Sequence, residues 1–266
     1  MSSIPDSQFP IPYVAIVTGA SRGVGRGVAA ALHDAGMRVY ATGRTVASAA
    51  LPDGVVRFPC DHTDDDAVGN VFARVERESG RLDLLVNNAW GGYERMVEHG
   101  RFTWGLPFWE QPVWRWDAMM TAGVRAAFVA SQLAARIMVP AGHGLIVNIS
   151  HWASQKRIGN TLYGIAKAAT DKLTNDIAIE LRPHGVAVVS LYPGLVRTEA
   201  VLGAGVFDLS NSESPEFIGR AVHALSTDPD LLALTGKTLV AADLSQRYGF
   251  TDVDGKTPRA LRLDDV

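Results

Sequence analysis

The chain has 266 residues, 47% of them hydrophobic and 20% charged, with a net charge of −3. This suits one globular domain around one sizeable core, and with Lys and Arg dispersed it excludes a general nucleic-acid surface. The single cysteine, Cys60, excludes an internal disulfide and a cysteine-rich metal site. The first ten residues lack the basic start and apolar run of a signal peptide, and no apolar run approaches the ~20 residues that span a bilayer. The expected location is the cytoplasm, with residues 1–11 a flexible N-terminal extension.

In chain order, Tyr13–Val17 is an apolar, β-branched run suited to a strand buried on both faces. Thr18-Gly-Ala-Ser-Arg-Gly-Val-Gly25 follows, and Val28 to Ala35 reads as a helix closed by Gly36. Glycines between a strand and a helix permit close backbone approach to a pyrophosphate, which the helix N-terminus attracts. Arg38–Arg44 is a second strand with its exit loop. No acid stands between Val39 and Thr45 to take the ribose 2′-hydroxyl of NAD, whereas Arg44 and Arg22 suit a 2′-phosphate. The pair favours NADP(H) over NAD(H).

Val55–Cys60 is a third strand, ending at Asp61, where an adenine could lie. Thr63 with Asp64, Asp65 and Asp66 makes an acidic helix start. Consecutive carboxylates on a helix point in different directions, so these three cap and solvate, and no metal is expected. Leu82–Val86 is a fourth strand leading to Asn87, Asn88 and Ala89. Residues 90–115 form a long aromatic connection that reads either as a substrate wall or as packing for a subunit partner. Trp116–Met138 is a long helix broken at Val139-Pro140-Ala-Gly142.

Leu145–Ile149 is the fifth strand, followed by Ser150 and His151. Asn160 is placed to cap a helix that carries Tyr163 and Lys167 and runs to about Arg182. Tyrosine and lysine four apart share a helix face, and a nearby ammonium draws a phenol pKa down from ~10 toward the working range. Val186–Leu191 is the sixth strand and exits through Tyr192-Pro193-Gly194. Glu199–Asn211 is rich in Gly and Ala, as a mobile lid would be. Ser214-Pro215 opens another helix, and Thr238–Ala242 is a final edge strand. The alternation implies an α/β fold, a doubly wound parallel sheet of Rossmann type in a single domain, with ligands beyond the carboxyl ends of the strands.

Together these residues resemble the short-chain dehydrogenase/reductase family across nearly the whole chain. The motifs are Thr18-Gly19-Ala-Ser-Arg-Gly23-Val-Gly25, Asp61, Asn87-Asn88-Ala89, Ser150, Tyr163-x3-Lys167 and Pro193-Gly194-x3-Thr198. The ending from Gly236 to Gly255, with Met138–Gly142 and Tyr163-Gly164, is similar to a narrower branch, that of dehydrogenase/reductase family member 1. The resemblance implies carbonyl/alcohol oxidoreduction on a small molecule, with Tyr163 giving or taking the hydroxyl proton. It further implies that Lys167 lowers the tyrosine pKa and binds the nicotinamide ribose, and that Ser150 hydrogen-bonds the substrate oxygen. Thr198 with the Val196 backbone, next to Pro193 and Gly194, would fix the carboxamide. Gly19, Ser21, Arg22, Gly23, Val24, Gly25, Arg44, Asp61 and Asn88 complete the cofactor set, and a homo-oligomer, dimer or tetramer, is usual among relatives.

Three departures from the family pattern bear on catalysis. Gly123 stands where an asparagine usually belongs to a proton path, and Trp90 stands where glycine is usual. The family's two serines read Ser150-His151: the offset to Tyr163 points to Ser150, and the strand register points to His151. Ser150 is taken as the substrate residue. His151 is either an ordinary rim residue or a proton relay titrating near neutrality. Gly123 and Trp90 keep open a second reading, a cofactor-binding protein of little turnover acting as redox sensor or scaffold.

Overall fold

The computed structural model describes residues 13–266, so the N-terminal extension lies outside the described residues. In chain order it contains β1 (Val14–Val17), α1 (Gly23–Asp34), β2 (Arg38–Gly43), β3 (Val56–Pro59), α2 (Asp65–Ser79) and β4 (Leu84–Asn87). A short antiparallel pair follows, β5 (Val97–Glu98) and β6 (Arg101–Phe102). One long helix then runs through α3 (Val113–Met119), a wider π-helical segment Met120–Arg125, and α4 (Ala126–Ala141). Next come β7 (Gly144–Ile149), α5 (Thr161–Leu181), β8 (Val186–Tyr192), β9 (Leu195–Val196) and α6 (Glu199–Ala204). The chain closes with β10 (Ser212–Glu213), α7 (Pro215–Ser226), β11 (Thr238–Val240) and α8 (Ala241–Tyr248).

Seven strands form the main sheet in the order β11-β8-β7-β4-β1-β2-β3, every pair parallel. Because successive strand residues face opposite ways, β1 serves two cores. Ala15 and Val17 join α1 and α7 through Val28, Leu32, Phe217 and Ile218. Val14 and Ile16 join α2, α4 and α5 through Val68, Val71, Ala130 and Ala178. The predominantly apolar runs of β1 and β8 are buried along their full length, as a sheet covered on both faces requires.

Helix α1 begins at Gly23, five residues before the predicted start. Its glycines serve close packing rather than breaking the helix. A Cβ on Gly27 would lie 2.3 Å from Pro215, and one on Gly219 would lie 2.5 Å from the Ala31 methyl. Backbone contact of that kind lets α1 and α7 cover the sheet together. Pro140 lies inside α4 rather than ending it. So close to the C-terminus it removes one hydrogen bond, and Gly142 closes the helix in the left-handed conformation. By length and composition Val113–Ala141 could cross a membrane, with mean hydropathy 1.3; its Ala130, Ala134 and Met138 pack into the core.

Candidate active site

The carboxyl ends of β1, β4 and β7 gather the predicted residues. Asn88 donates to the carbonyls of Thr18 and Gly19, 3.1 Å each, while its own N–H bonds the Thr18 hydroxyl at 2.9 Å. A Cβ on Gly25 would lie 2.3 Å from the Asn88 amide. Asn88 therefore braces the glycine turn from behind. Asn87 turns inward, donating to Ser131 at 2.9 Å and Asn148 at 2.8 Å, and Asn148 continues to Thr174. Asn87 is a buried strand-to-helix link, not a group that faces a cofactor.

Around the turn Arg22 is exposed, Val24 packs on the core, and Ser21 Oγ lies over the end of β2, where a Cβ on Gly43 would be 2.6 Å away. Arg44 is exposed and reaches Glu94 at 3.4 Å. Asp61 accepts from the Thr63 backbone at 3.0 Å and its hydroxyl at 2.8 Å. That backbone bond is the main cause holding its carboxyl below the usual range, with nearby Arg44 contributing. Of the three aspartates that follow, Asp64 caps α2 and Asp65 forms a bidentate pair with Arg125.

Sequence reasoning missed Glu199. It opens α6, under the Thr198 cap, and its carboxylate accepts from the Gly23 N–H at 3.0 Å while pairing with Arg26 at 3.0 Å. A carboxylate there is a stand-in for a phosphate at the start of α1, and it shows that this N-terminus holds an anion. The residues present fit a dinucleotide. The segment 199–211 contains α6, not an irregular lid. Gly194 gives its N–H to buried Glu213 at 2.8 Å, and burial pushes the Glu213 carboxyl up to about 7. Val196 pairs with Glu213 across β9 and β10, and a Cβ on Gly23 would lie 3.4 Å from the Thr198 methyl, so Thr198 sits beside the glycine turn.

Asn160 caps α5, accepting from the Tyr163 N–H at 2.9 Å. Tyr163 and Lys167 are both buried on this helix. The Lys167 ammonium lies 5.7 Å from the Tyr163 ring centre, donates to the Ile149 carbonyl at 3.0 Å, and rests on the Trp90 face at 3.9 Å. Burial draws the Lys167 pKa down to about 7, against a smaller opposing pull from Asp171. Burial also holds the Tyr163 phenol well above its ordinary value, helped by Tyr93. The expectation that the ammonium lowers this pKa fails here, because desolvation outweighs a cation directed at a carbonyl and an indole.

Trp90 and Gly123 explain each other. A Cβ on Gly123 would lie 2.7 Å from the Trp90 ring, so the indole occupies the room any larger residue at 123 would need. The ring stands edge-on to Tyr163 at 5.7 Å and 89°. Trp104 and Tyr93 complete the wall at 5.6 and 6.2 Å from Tyr163. The aromatic connection thus divides: Trp90, Trp104 and the partly exposed Tyr93 turn their rings to Tyr163, while Phe102, Phe108 and Trp109 face outward. Arg115, also missed, is fully buried and fastens the connection by bonds to Thr103, Gln111 and the Arg95 carbonyl.

Ser150 does not face this wall. Its hydroxyl, 2% exposed, is directed at the Lys167 carbonyl 3.5 Å away. The His151 ring lies 5.4 Å from the Tyr163 ring, and its Nδ1 accepts from the Ala153 N–H at 3.0 Å. Burial, then the Lys167 charge, hold the imidazole pKa down to about 4, which counts against a relay titrating near neutrality at this position.

The family profile described as short chain dehydrogenase matches residues 13–204. "Dehydrogenase/reductase SDR family member 1" of Mus musculus and that of Homo sapiens are each 44% identical, over 91% of this chain and 84% of theirs. A solved short chain dehydrogenase/reductase family protein superposes with TM-score 0.70 at 31% identity, over 86% of this chain and 96% of its own. The relatives agree with a carbonyl/alcohol oxidoreductase that uses a nicotinamide cofactor and a small-molecule substrate. The chain belongs to the short-chain dehydrogenase/reductase family, in the branch of family member 1.

Proposed function

We propose that the protein is an NADP(H)-dependent oxidoreductase that interconverts a carbonyl and an alcohol, with Tyr163 as the proton-transfer residue. The observation that carries this reading is the buried Tyr163–Lys167 pair under an aromatic wall beside the glycine turn. When bound, the nicotinamide dinucleotide supplies the hydride. Gly19 to Gly25 would cradle its pyrophosphate, with Asp61 by the adenine and Pro193, Gly194, Val196 and Thr198 by the carboxamide. Arg22 and Arg44, exposed at the turn and at the end of β2, support a 2′-phosphate.

Burial keeps Tyr163 in the protonated form from which carbonyl reduction starts, although it also makes the phenol a weaker acid. Lys167 lends a positive charge beneath the tyrosine and a donor for the ribose. Trp90, Tyr93 and Trp104 exclude water and favour an apolar, flat substrate. Exposed Phe128, Ile165 and Ile179 support a homo-oligomer, which sedimentation would test, and the reading places the protein in the cytoplasm.

The deciding assay is NADPH oxidation with a panel of aldehydes, ketones and quinones. Tyr163→Phe should lower turnover by ~10²–10⁴ with NADPH affinity nearly unchanged, and a variant within a few-fold of wild type would refute the assignment. The raised Tyr163 pKa favours the second reading, a cofactor-binding protein of little turnover. Absence of turnover across the panel would select it.

A further inference from the structure

Two adjacent residues follow β7, and only one presents a polar atom to the catalytic wall. Ser150 is sealed against the backbone of α5, its hydroxyl 3.5 Å from the Lys167 carbonyl. His151 has extended backbone, φ −163° and ψ 155°, and its side chain points the other way, as alternation along a strand requires. Its ring stands 5.4 Å from that of Tyr163, inclined by 52°.

The ring is fixed as well as close. Nδ1 accepts the Ala153 N–H at 3.0 Å, which caps the short turn Trp152–Ser154. A nitrogen that accepts cannot carry the proton, so the neutral ring bears it on Nε2. Around the imidazole, the Lys167 ammonium and burial both oppose a second proton, and the other titratable neighbour is the Tyr163 phenol. The ring is therefore held as a neutral N–H donor through the physiological range.

We infer that the Nε2–H of His151, rather than the Ser150 hydroxyl, donates a hydrogen bond to the substrate carbonyl oxygen beside Tyr163. This rests on the carbonyl/alcohol reading given above. In the reduction the carbonyl carbon takes hydride from the dihydronicotinamide, which becomes the oxidised ring. The carbonyl π bond breaks, and the oxygen takes the Tyr163 proton. Tyr163 is left as a phenolate to be reprotonated from solvent. His151 loses no proton at any stage; its donor stabilises the charge that develops on oxygen. An imidazole reaches further from the strand than a serine hydroxyl, so the carbonyl it serves must sit further from β7 and nearer the Trp90 face.

The test compares His151→Ala, Ser150→Ala, His151→Gln and Tyr163→Phe, each checked for folding by circular dichroism and for NADPH binding by fluorescence. Loss of such a donor lowers kcat by ~10²–10³. His151→Ala should show that loss with NADPH affinity within about twofold, while Ser150→Ala stays within about threefold of wild type. Glutamine places an N–H near the Nε2 position, so His151→Gln should recover about tenfold over alanine. A readout free of turnover is histidine ¹⁵N NMR, which should give the Nε2–H tautomer and no titration between pH 5 and 8. Ser150→Ala severe with His151→Ala harmless would overturn the inference. So would a His151 that protonates near 6.5 or carries its proton on Nδ1. Tyr163→Phe inactive with His151→Ala active keeps the carbonyl reading and rejects the inference; a wild type without turnover rejects both.

Discussion

Trp90→Leu should move the ionisation of Lys167. In the structure the ammonium sits 3.9 Å from the indole centre and, among the described residues, donates to the Ile149 carbonyl alone. Leucine fills part of the same volume and keeps water out, so the burial that holds this lysine near 7 persists. What is lost is the attraction of a cation for a desolvated indole, ~2 kcal/mol. At 1.36 kcal/mol per pH unit, that lowers the lysine pKa by roughly one to two pH units. Asp171, one turn further along α5, favours the charge equally in both proteins. At pH 7 the charged fraction would fall, and turnover that needs the cation would fall with it. The assay is kcat against pH from 5 to 9, alongside the rate of Lys167 acylation followed by peptide mass spectrometry. The alkaline limb and the acylation midpoint should move together toward acid, and Trp90→Phe should move them less. An unmoved or alkaline-shifted midpoint would refute the argument.

Three further outcomes follow from contacts described above. Arg44→Asp should abolish or invert a cofactor preference that exceeds about tenfold in wild type, roughly 1.4 kcal/mol, measured by titrating NADPH and NADH. Equal wild-type affinities would remove the premise. Lys167→Met should raise stability most below pH 7. The folded lysine ionises near 7 against an ordinary 10.5, so the buried charge is carried in full below 7 and shed as pH rises through that window. Wild-type stability should accordingly climb between pH 7 and 10 toward that of the variant, read as urea midpoints. Arg115→Leu removes the shorter of two donors from the Thr103 and Arg95 carbonyls, which keep only Gln111 at 3.3 Å and the Thr103 hydroxyl at 3.4 Å, and should cost about 1–3 kcal/mol, while raising KM more than it lowers kcat. A KM unchanged at equal stability would separate Arg115 from the substrate wall.

Much of the fold is legible in the chain because its strands are unambiguous. Val186–Leu191 has no polar residue except Ser190, and a run of that kind is stable only when covered on both faces. Asn160 and Ser214 are legible because a cap is a local bond, three residues long. The start of α1 was not, since Gly25 and Gly27 count against a helix until α7 and Asn88 are seen pressing on them. The site was half legible. Spacing places Lys167 one turn from Tyr163, but spacing carries no information on desolvation, which sets both pKa values. Trp90 and Gly123 read as two separate irregularities and prove to be one fitted pair. The choice between Ser150 and His151 turned on side-chain direction at a strand end, where the chain leaves regular pairing and periodicity lapses.

Glu199 gives the glycine turn an unusual starting condition. Its carboxylate already holds the Gly23 N–H and the Arg26 guanidinium. A dinucleotide phosphate that takes the same N–H must trade places with it. Binding is then an exchange of one anion for another, with little net change in local charge. Added salt screens the displaced carboxylate and the arriving phosphate alike, so this exchange should add little salt dependence beyond that of the exposed Arg22 and Arg44. The expelled Glu199 is the first residue of α6, so the same exchange unfastens that helix from the glycine turn.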